Sequence, residues 1–268
     1  MAVYVADNAC VHPQAQLADD VYIGPFCVVG PHVTIGAGTR LENNVTVVGR
    51  VTLGQRNRLY PGVVIGAEPQ DLSYRGSDTC VTIGNDNVFR ESVTVNRATE
   101  KEDGVTSIGD GNYLMAGCHV AHDCRLGDRI IIANATLLGG HVRIEDHATI
   151  SGGVAIHHFV TIGRYSFVAG MSRVVHDVPP YLLVEGIPAR PRCVNKVALE
   201  RNDFPRDVIA GLYAAFKLIY VSKIGLDHAR EILRENHQMY PAVNHLLGAI
   251  DLLLEGRHGR ARQRRRAA

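Results

Sequence analysis

An aliphatic residue recurs every six positions along most of this chain, and few folds can satisfy so strict a period. Counting from Val5 gives Val11, Leu17, Ile23, Val29, Ile35, Leu41, Val47, Leu53, Leu59 and Ile65 without a polar exception. The register breaks over 67–80, resumes at Ile83, Phe89 and Val95, and breaks again over 98–107. It restarts at Ile108 and runs through Leu114, Val120, Leu126, Ile132, Leu138, Ile144, Ile150, Ile156, Ile162, Val168 and Val174. A six-residue unit is one short strand plus a turn. Three units close a triangular coil, with the periodic residue pointing inward from each side. The pattern predicts a mainly β fold, a parallel β-helix of about nine coils over 1–194, stacked at roughly 4.8 Å. The two breaks read as loop insertions thrown out from the coil, a kind of segment that tends to carry function.

Composition agrees with a stacked aliphatic core. Hydrophobic residues make up 46% of the chain while aromatics make up 6%, Trp is absent and there are 27 glycines. The net charge of +1 gives no general case for nucleic acid. Six cysteines (Cys10, Cys27, Cys80, Cys118, Cys124, Cys193) are scattered through a chain too long to need stapling, so reduced thiols in a cytoplasm are expected. Met1–Tyr4 resembles neither part of a secretory signal, and no run of about 18 apolar residues suggests a membrane span.

Beyond Val174 the rhythm changes. Pro179, Pro180, Pro188 and Pro191 predict an extended exit, followed by helical spacing. Pro205 suits a helix start, with Val208, Ile209, Leu212, Phe216 and Ile219 following. A second helix is expected through Ala229, Ile232, Leu233 and Met239, and a third through Val243, Leu246, Leu247, Ile250, Leu253 and Leu254. Together they define a small α-helical C-terminal domain over 195–256. The tail, 257–268, holds six arginines and reads as a disordered basic end, either simply solvated or helping to dock an acidic partner.

Eighteen residues make one coil, so spacing becomes geometry in the stretch LMAGCHVAHDCR, 114–125. His122 falls beneath Gly140, and Gly140 beneath His158. Asp123 falls beneath His141, while Ala121, Gly139 and His157 form the adjoining column. A neutral imidazole can take a proton from a hydroxyl near pH 7, and a neighbouring carboxylate can fix its tautomer. A glycine lets a backbone N–H approach a developing oxyanion. Acyl transfer is therefore the expected chemistry, with His122, Asp123 and Gly140 as the catalytic set. The competing reading is a metal cluster of Cys118, His119, His122 and Cys124. Strand parity sets His119 apart from the other three, and the usual cysteine pairing is missing, so no metal and no cofactor is expected.

The segments VHPQAQL, IGPFCVVGPHVTIGAGT, PQDLSYRG, HVAHDCRLGDRIIIANATLLGGHV, DVPPY and GIPARPRCVN resemble the UDP-N-acetylglucosamine O-acyltransferase family over nearly the whole chain. The resemblance implies a left-handed β-helix and a cytoplasmic homotrimer with active sites between subunits. It also implies transfer of a 3-hydroxyacyl chain from acyl carrier protein to the 3-hydroxyl of UDP-N-acetylglucosamine, the first step of lipid A synthesis. On that basis His122 matches the general base, Asp123 its orienting partner and Gly140 the oxyanion donor. His119, His141 and His157 match residues that contact the sugar nucleotide or the acyl group, and His158 joins them through the stacking. Gln70 and Asp71 match the substrate loop. Asn195 and Arg201 match the end that meets the uridine diphosphate, where an arginine suits a phosphate. Gly170 falls where the family sets acyl length, and a glycine implies a long chain.

The departures bear on the acceptor. Ser73 stands where the substrate loop usually carries lysine, Asn96 where a histidine is common, Val197 where a glutamate is usual and Asn202 where an arginine is; Pro188 also differs from some members. An N-acyltransferase of a 3-amino UDP-sugar is therefore a second reading. A zinc hydratase and a non-catalytic β-helix are the remaining alternatives.

Overall fold

A computed structural model of the protein describes residues 2–256; the arginine-rich tail falls outside them. Each periodic aliphatic residue ends or lies within a short strand, and the strands form three sheets, parallel except for the last pair of the first, that are the faces of a prism. The first face runs from Tyr4–Val5 to Ala189–Val194 in 11 strands. The second runs from Cys10–Val11 to Arg173–Val174 in 9, and the third from Gln16–Leu17 to Thr161–Ile162 in 8. Along a strand the side chains alternate, so the periodic residue is buried and its neighbour faces out. Ile23, Leu41, Leu59, Leu114, Ile132 and Ile150 are fully buried in this way, in one continuous core. At the open amino-terminal end Val5 is exposed, and Val11 and Leu17 are half-buried.

The eighteen-residue step is the rule above the loops: Val120 pairs with Leu138, and Leu138 with Ile156. Below it the step lengthens, because Ile65 pairs with Val95 and Val95 with Val120. The first extra segment joins Val64–Ala67 on the second face to Cys80–Ile83 on the third. The second joins Thr94–Asn96 to Val105–Ile108 across the same edge. The second strand restarts at Val105, earlier than the rhythm suggested, because Val105–Ile108 pairs along its whole length with Cys80–Ile83.

The proline-rich exit is an antiparallel hairpin, Leu182–Gly186 with Ala189–Val194, turning at a cis Ile187–Pro188 bond. It continues the first face beside Phe167–Val168. Four helices follow: α1 (Lys196–Arg201), α2 (Arg206–Phe216), α3 (Leu226–Glu235) and α4 (Pro241–Leu254). A π-helical turn, Lys217–Val221, carries Ile219 beyond the end of α2. Met239 lies past α3 rather than within it. Asn236 ends that helix, and His237 follows in the left-handed region. Leu199, Leu212, Leu233, Val243, Leu246 and Ile250 form the helical core, and Tyr181, Leu182 and Val194 of the hairpin region pack into it. Among the described residues no helix is long and apolar enough to cross a membrane.

Candidate active site

Both loops leave the prism at the edge between its second and third faces, in the two coils below the turn that carries His122. That turn joins His119–Val120 to Arg125–Leu126, and its third residue, Asp123, has φ of 60°. The same position is His141 (61°) in the next coil and Phe159 (63°) in the one after. Asp tolerates this left-handed region better than the bulkier residues. Stacking of the His141 and Phe159 rings, with centroids 4.4 Å apart, offsets part of their cost.

Asp123 is buried and its oxygens are fully engaged. Oδ2 lies 2.7 Å from Nδ1 of His122 and accepts the Thr99 hydroxyl at 2.7 Å; Oδ1 accepts the Thr99 N–H at 3.1 Å. The Asp123 N–H donates to the Thr106 hydroxyl. Burial on its own would raise this carboxyl. The bonds from His122 and Thr99 and the nearby His141 outweigh it and hold Asp123 below the usual carboxylate range. An ionised Asp123 assigns the imidazole proton to Nδ1 of His122, which leaves the Nε2 lone pair to act as a base.

Gly140 lies directly against this ring. A Cβ at Gly140 would stand 2.4 Å from Cε1 and 2.7 Å from Nε2 of His122, so only glycine lets backbone and imidazole approach so closely. Among the described residues the Gly140 N–H has no acceptor. Its carbonyl is taken by Phe159, and the His141 N–H bonds the His122 carbonyl at 3.0 Å. Gly139 makes comparable room for His158.

A cleft of about 290 Å³ opens on this edge, lined by Gln70, His119, His122, Gly140 and His158 with the apolar Leu137, Ala155 and Ile156. His119 bonds Thr94 at 2.7 Å, and burial, with a smaller contribution from nearby His122, pushes its imidazole below the usual value. His141 is buried, with Nε2 3.7 Å from Asp123 and Nδ1 3.3 Å from Glu102 of the second loop; burial also pushes it down. His157 is half-buried on the same edge, its ring 4.7 Å from that of His158. Asp71 places Oδ2 3.9 Å from Nε2 of His122.

Three residues expected at the site do not reach this edge within the chain. Gly170 is exposed on the edge between the first and second faces. Asn195 caps α1 and donates to the Tyr165 carbonyl at 2.8 Å, on the edge between the third and first faces. Arg201 is exposed at the far end of α1. The competing set of Cys118, His119, His122 and Cys124 does not come together either. Both cysteines face into the prism, Cys124 bonding the Gly139 carbonyl and Cys118 that of Ala133, while both histidines face the cleft. Parity misled here because His122 sits in a turn, where flat-strand alternation ends. Burial pushes the Cys124 thiol up to about 12, which removes it as a thiolate ligand. The donor atoms that do converge belong to His122, Asp123 and His141, within 4.8 Å of one another, and His122 Nδ1 and Asp123 Oδ2 are already bonded to each other.

Thr99, Thr106 and Glu102 were not anticipated. They arrive through the second loop and the strand it feeds, where the eighteen-residue step fails and spacing carries no signal. Asn96 proves to be a loop anchor: its amide donates to the Glu68 carbonyl at 2.7 Å and so ties down the base of the first loop.

Comparison with known proteins decides the family. The acyl-[acyl-carrier-protein]–UDP-N-acetylglucosamine O-acyltransferase of Thermodesulfovibrio yellowstonii is 42% identical over 91% of this chain and 95% of its own length. The chain belongs to this acyltransferase family. The Synechocystis member is 49% identical over 75% of this chain and 72% of its own length. The family model described as UDP N-acetylglucosamine O-acyltransferase, domain 2, matches residues 177–259, and that of the bacterial transferase hexapeptide matches 2–37 and 106–140. Among solved structures, the UDP-N-acetylglucosamine acyltransferase of Bacteroides fragilis superposes with a TM-score of 0.89 at 32% identity, covering 95% of this chain and 98% of that one. The acyltransferase fold therefore spans both the β-helix and the helices of this chain.

Proposed function

We propose that this protein transfers a 3-hydroxyacyl chain from acyl carrier protein to the 3-hydroxyl of UDP-N-acetylglucosamine, the first step of lipid A synthesis, as a cytoplasmic homotrimer. The observation that carries the chemistry is the 2.7 Å contact between His122 Nδ1 and Asp123, with the Gly140 backbone packed on the other side of the ring. Nε2 takes the hydroxyl proton as the sugar oxygen attacks the thioester carbonyl carbon. The imidazolium so formed is held by Asp123, and the oxyanion faces the Gly140 N–H. Collapse breaks the carbon–sulfur bond, and Nε2 returns its proton to the departing carrier thiolate.

Gln70, Asp71, His119, His141, His157 and His158 contact the sugar nucleotide and acyl chain around this cleft. Asn195 and Arg201 lie on another edge of the prism, which suits a trimer in which they serve the cleft of a neighbouring subunit. Gly170 presents no side chain along the acyl path, which suits a long chain. Acylation of a 3-amino UDP-sugar remains the second reading because of Ser73, Asn96, Val197 and Asn202. Mass spectrometry of products from a defined acyl carrier thioester offered both acceptors separates the two. The ester of UDP-N-acetylglucosamine is expected; an amide formed exclusively on the amino sugar would overturn the acceptor.

A further inference from the structure

The His122 ring stands between two carboxylates, Asp123 at 2.7 Å from Nδ1 and Asp71 at 3.9 Å from Nε2. A nearby carboxylate favours the charged form of a histidine, so an unbalanced Asp71 facing Nε2 works against the role of that atom as a proton acceptor. The other titratable groups around the ring do not solve this. His141 meets it edge-on with centroids 5.3 Å apart, His119 and His158 line the same cleft, and Glu102 lies beyond His141.

The second loop supplies what is missing. Among the described residues the cation contacting Asp71 is Lys101, whose Nζ lies 2.5 Å from Oδ2, the oxygen that also faces His122. Oδ1 is capped separately by the N–H and hydroxyl of Ser73, both at 2.8 Å. Ser73, the departure from the usual lysine, thus orients the carboxylate, while the charge that balances it comes across from the other loop. Three other charged loop residues are paired away from Asp71: Glu68 with Arg97, Asp78 with Arg50 and Asp103 with Arg125.

We propose that Lys101 is a positioning residue that neutralises Asp71 and thereby keeps Nε2 of His122 free to accept the proton of the substrate hydroxyl. The proposal rests on His122 being the base, and its test includes that assignment. The dependence of kcat/KM on pH reports the free enzyme. In Lys101→Met the acid limb is expected to move up by about one pH unit, a loss of about tenfold at pH 6 that largely disappears by pH 8.5. Lys101→Arg should restore the limb, and so should Asp71→Asn combined with Lys101→Met, because both charges are then gone. An unmoved limb in Lys101→Met overturns the proposal, even with a raised KM, since that would mark a lysine that merely holds the loop. Near-normal turnover in His122→Ala, run alongside, would instead refute the base itself.

Discussion

Gly140 and His122 are packed so closely that a single methyl group cannot fit between them: the Cβ of an alanine at 140 would lie 2.4 Å from Cε1 of the imidazole. The same contact that excludes a side chain brings the Gly140 backbone to the place where acyl-transfer charge develops. Gly140→Ala should push the ring from its bond with Asp123 and lower kcat by about a hundredfold or more. Steady-state kinetics with a thermal melt checks this; a large loss of kcat with a nearly unchanged melting temperature is expected.

Asp123 fixes the tautomer of His122, so Asp123→Asn should be more damaging than its small change in shape suggests. The amide offers a donor where Nδ1–H needs an acceptor, and the proton moves to Nε2. A fall in kcat on the order of 10³–10⁴ is expected, with KM much less affected. Substrate titration of the variant measures both.

Leu137 and Leu138 are neighbours in sequence but point to opposite sides of the second face, Leu137 51% exposed and Leu138 1%. Leu138→Ala opens a cavity in the stacked core and should cost about 2–5 kcal/mol. Leu137→Ala should cost about 0.5 kcal/mol or less. Because Leu137 lines the cleft, its loss should appear in KM for the acyl donor instead.

Asp177 lies where the chain leaves the coil, beside Thr161, whose N–H its Oδ1 accepts at 2.8 Å. It is raised to about 6 by burial, partly opposed by the Thr161 N–H. A carboxyl raised in the folded state favours folding fully below the unfolded value near 3.8, and that contribution is lost as pH rises through about 6. Asp177→Asn keeps an acceptor for Thr161 without the charge. It should therefore raise the melting temperature at pH 8 relative to the parent and change it little near pH 4. Denaturation at the two pH values checks the sign.

How far the sequence reaches follows from where its period holds. Eighteen-residue stacking puts His122 under Gly140 and Asp123 under His141, and the hydrogen bond from the His141 N–H to the His122 carbonyl is the backbone form of that arithmetic. The column also runs to Phe159, whose ring stacks on His141, although an aromatic at that spacing carries no chemical signature of its own. Thr99, Lys101 and Glu102 were illegible because the second loop interrupts the step, and loop side chains find partners by tertiary contact alone. Strand parity grouped His122 with Cys118 and Cys124 for a related reason: parity belongs to strands, and His122 is in a turn, so it faces the cleft while both cysteines are buried. The hairpin 182–194 was hidden by its prolines, which signal extension without saying what the chain pairs with.

The account stands most directly on the turnover of His122→Ala with acyl carrier thioester and UDP-N-acetylglucosamine, measured on protein that retains the size and melting temperature of the parent. A loss of about 10²–10⁴ in kcat is predicted, the contribution expected of a positioned general base. Turnover within about threefold of the parent would contradict it.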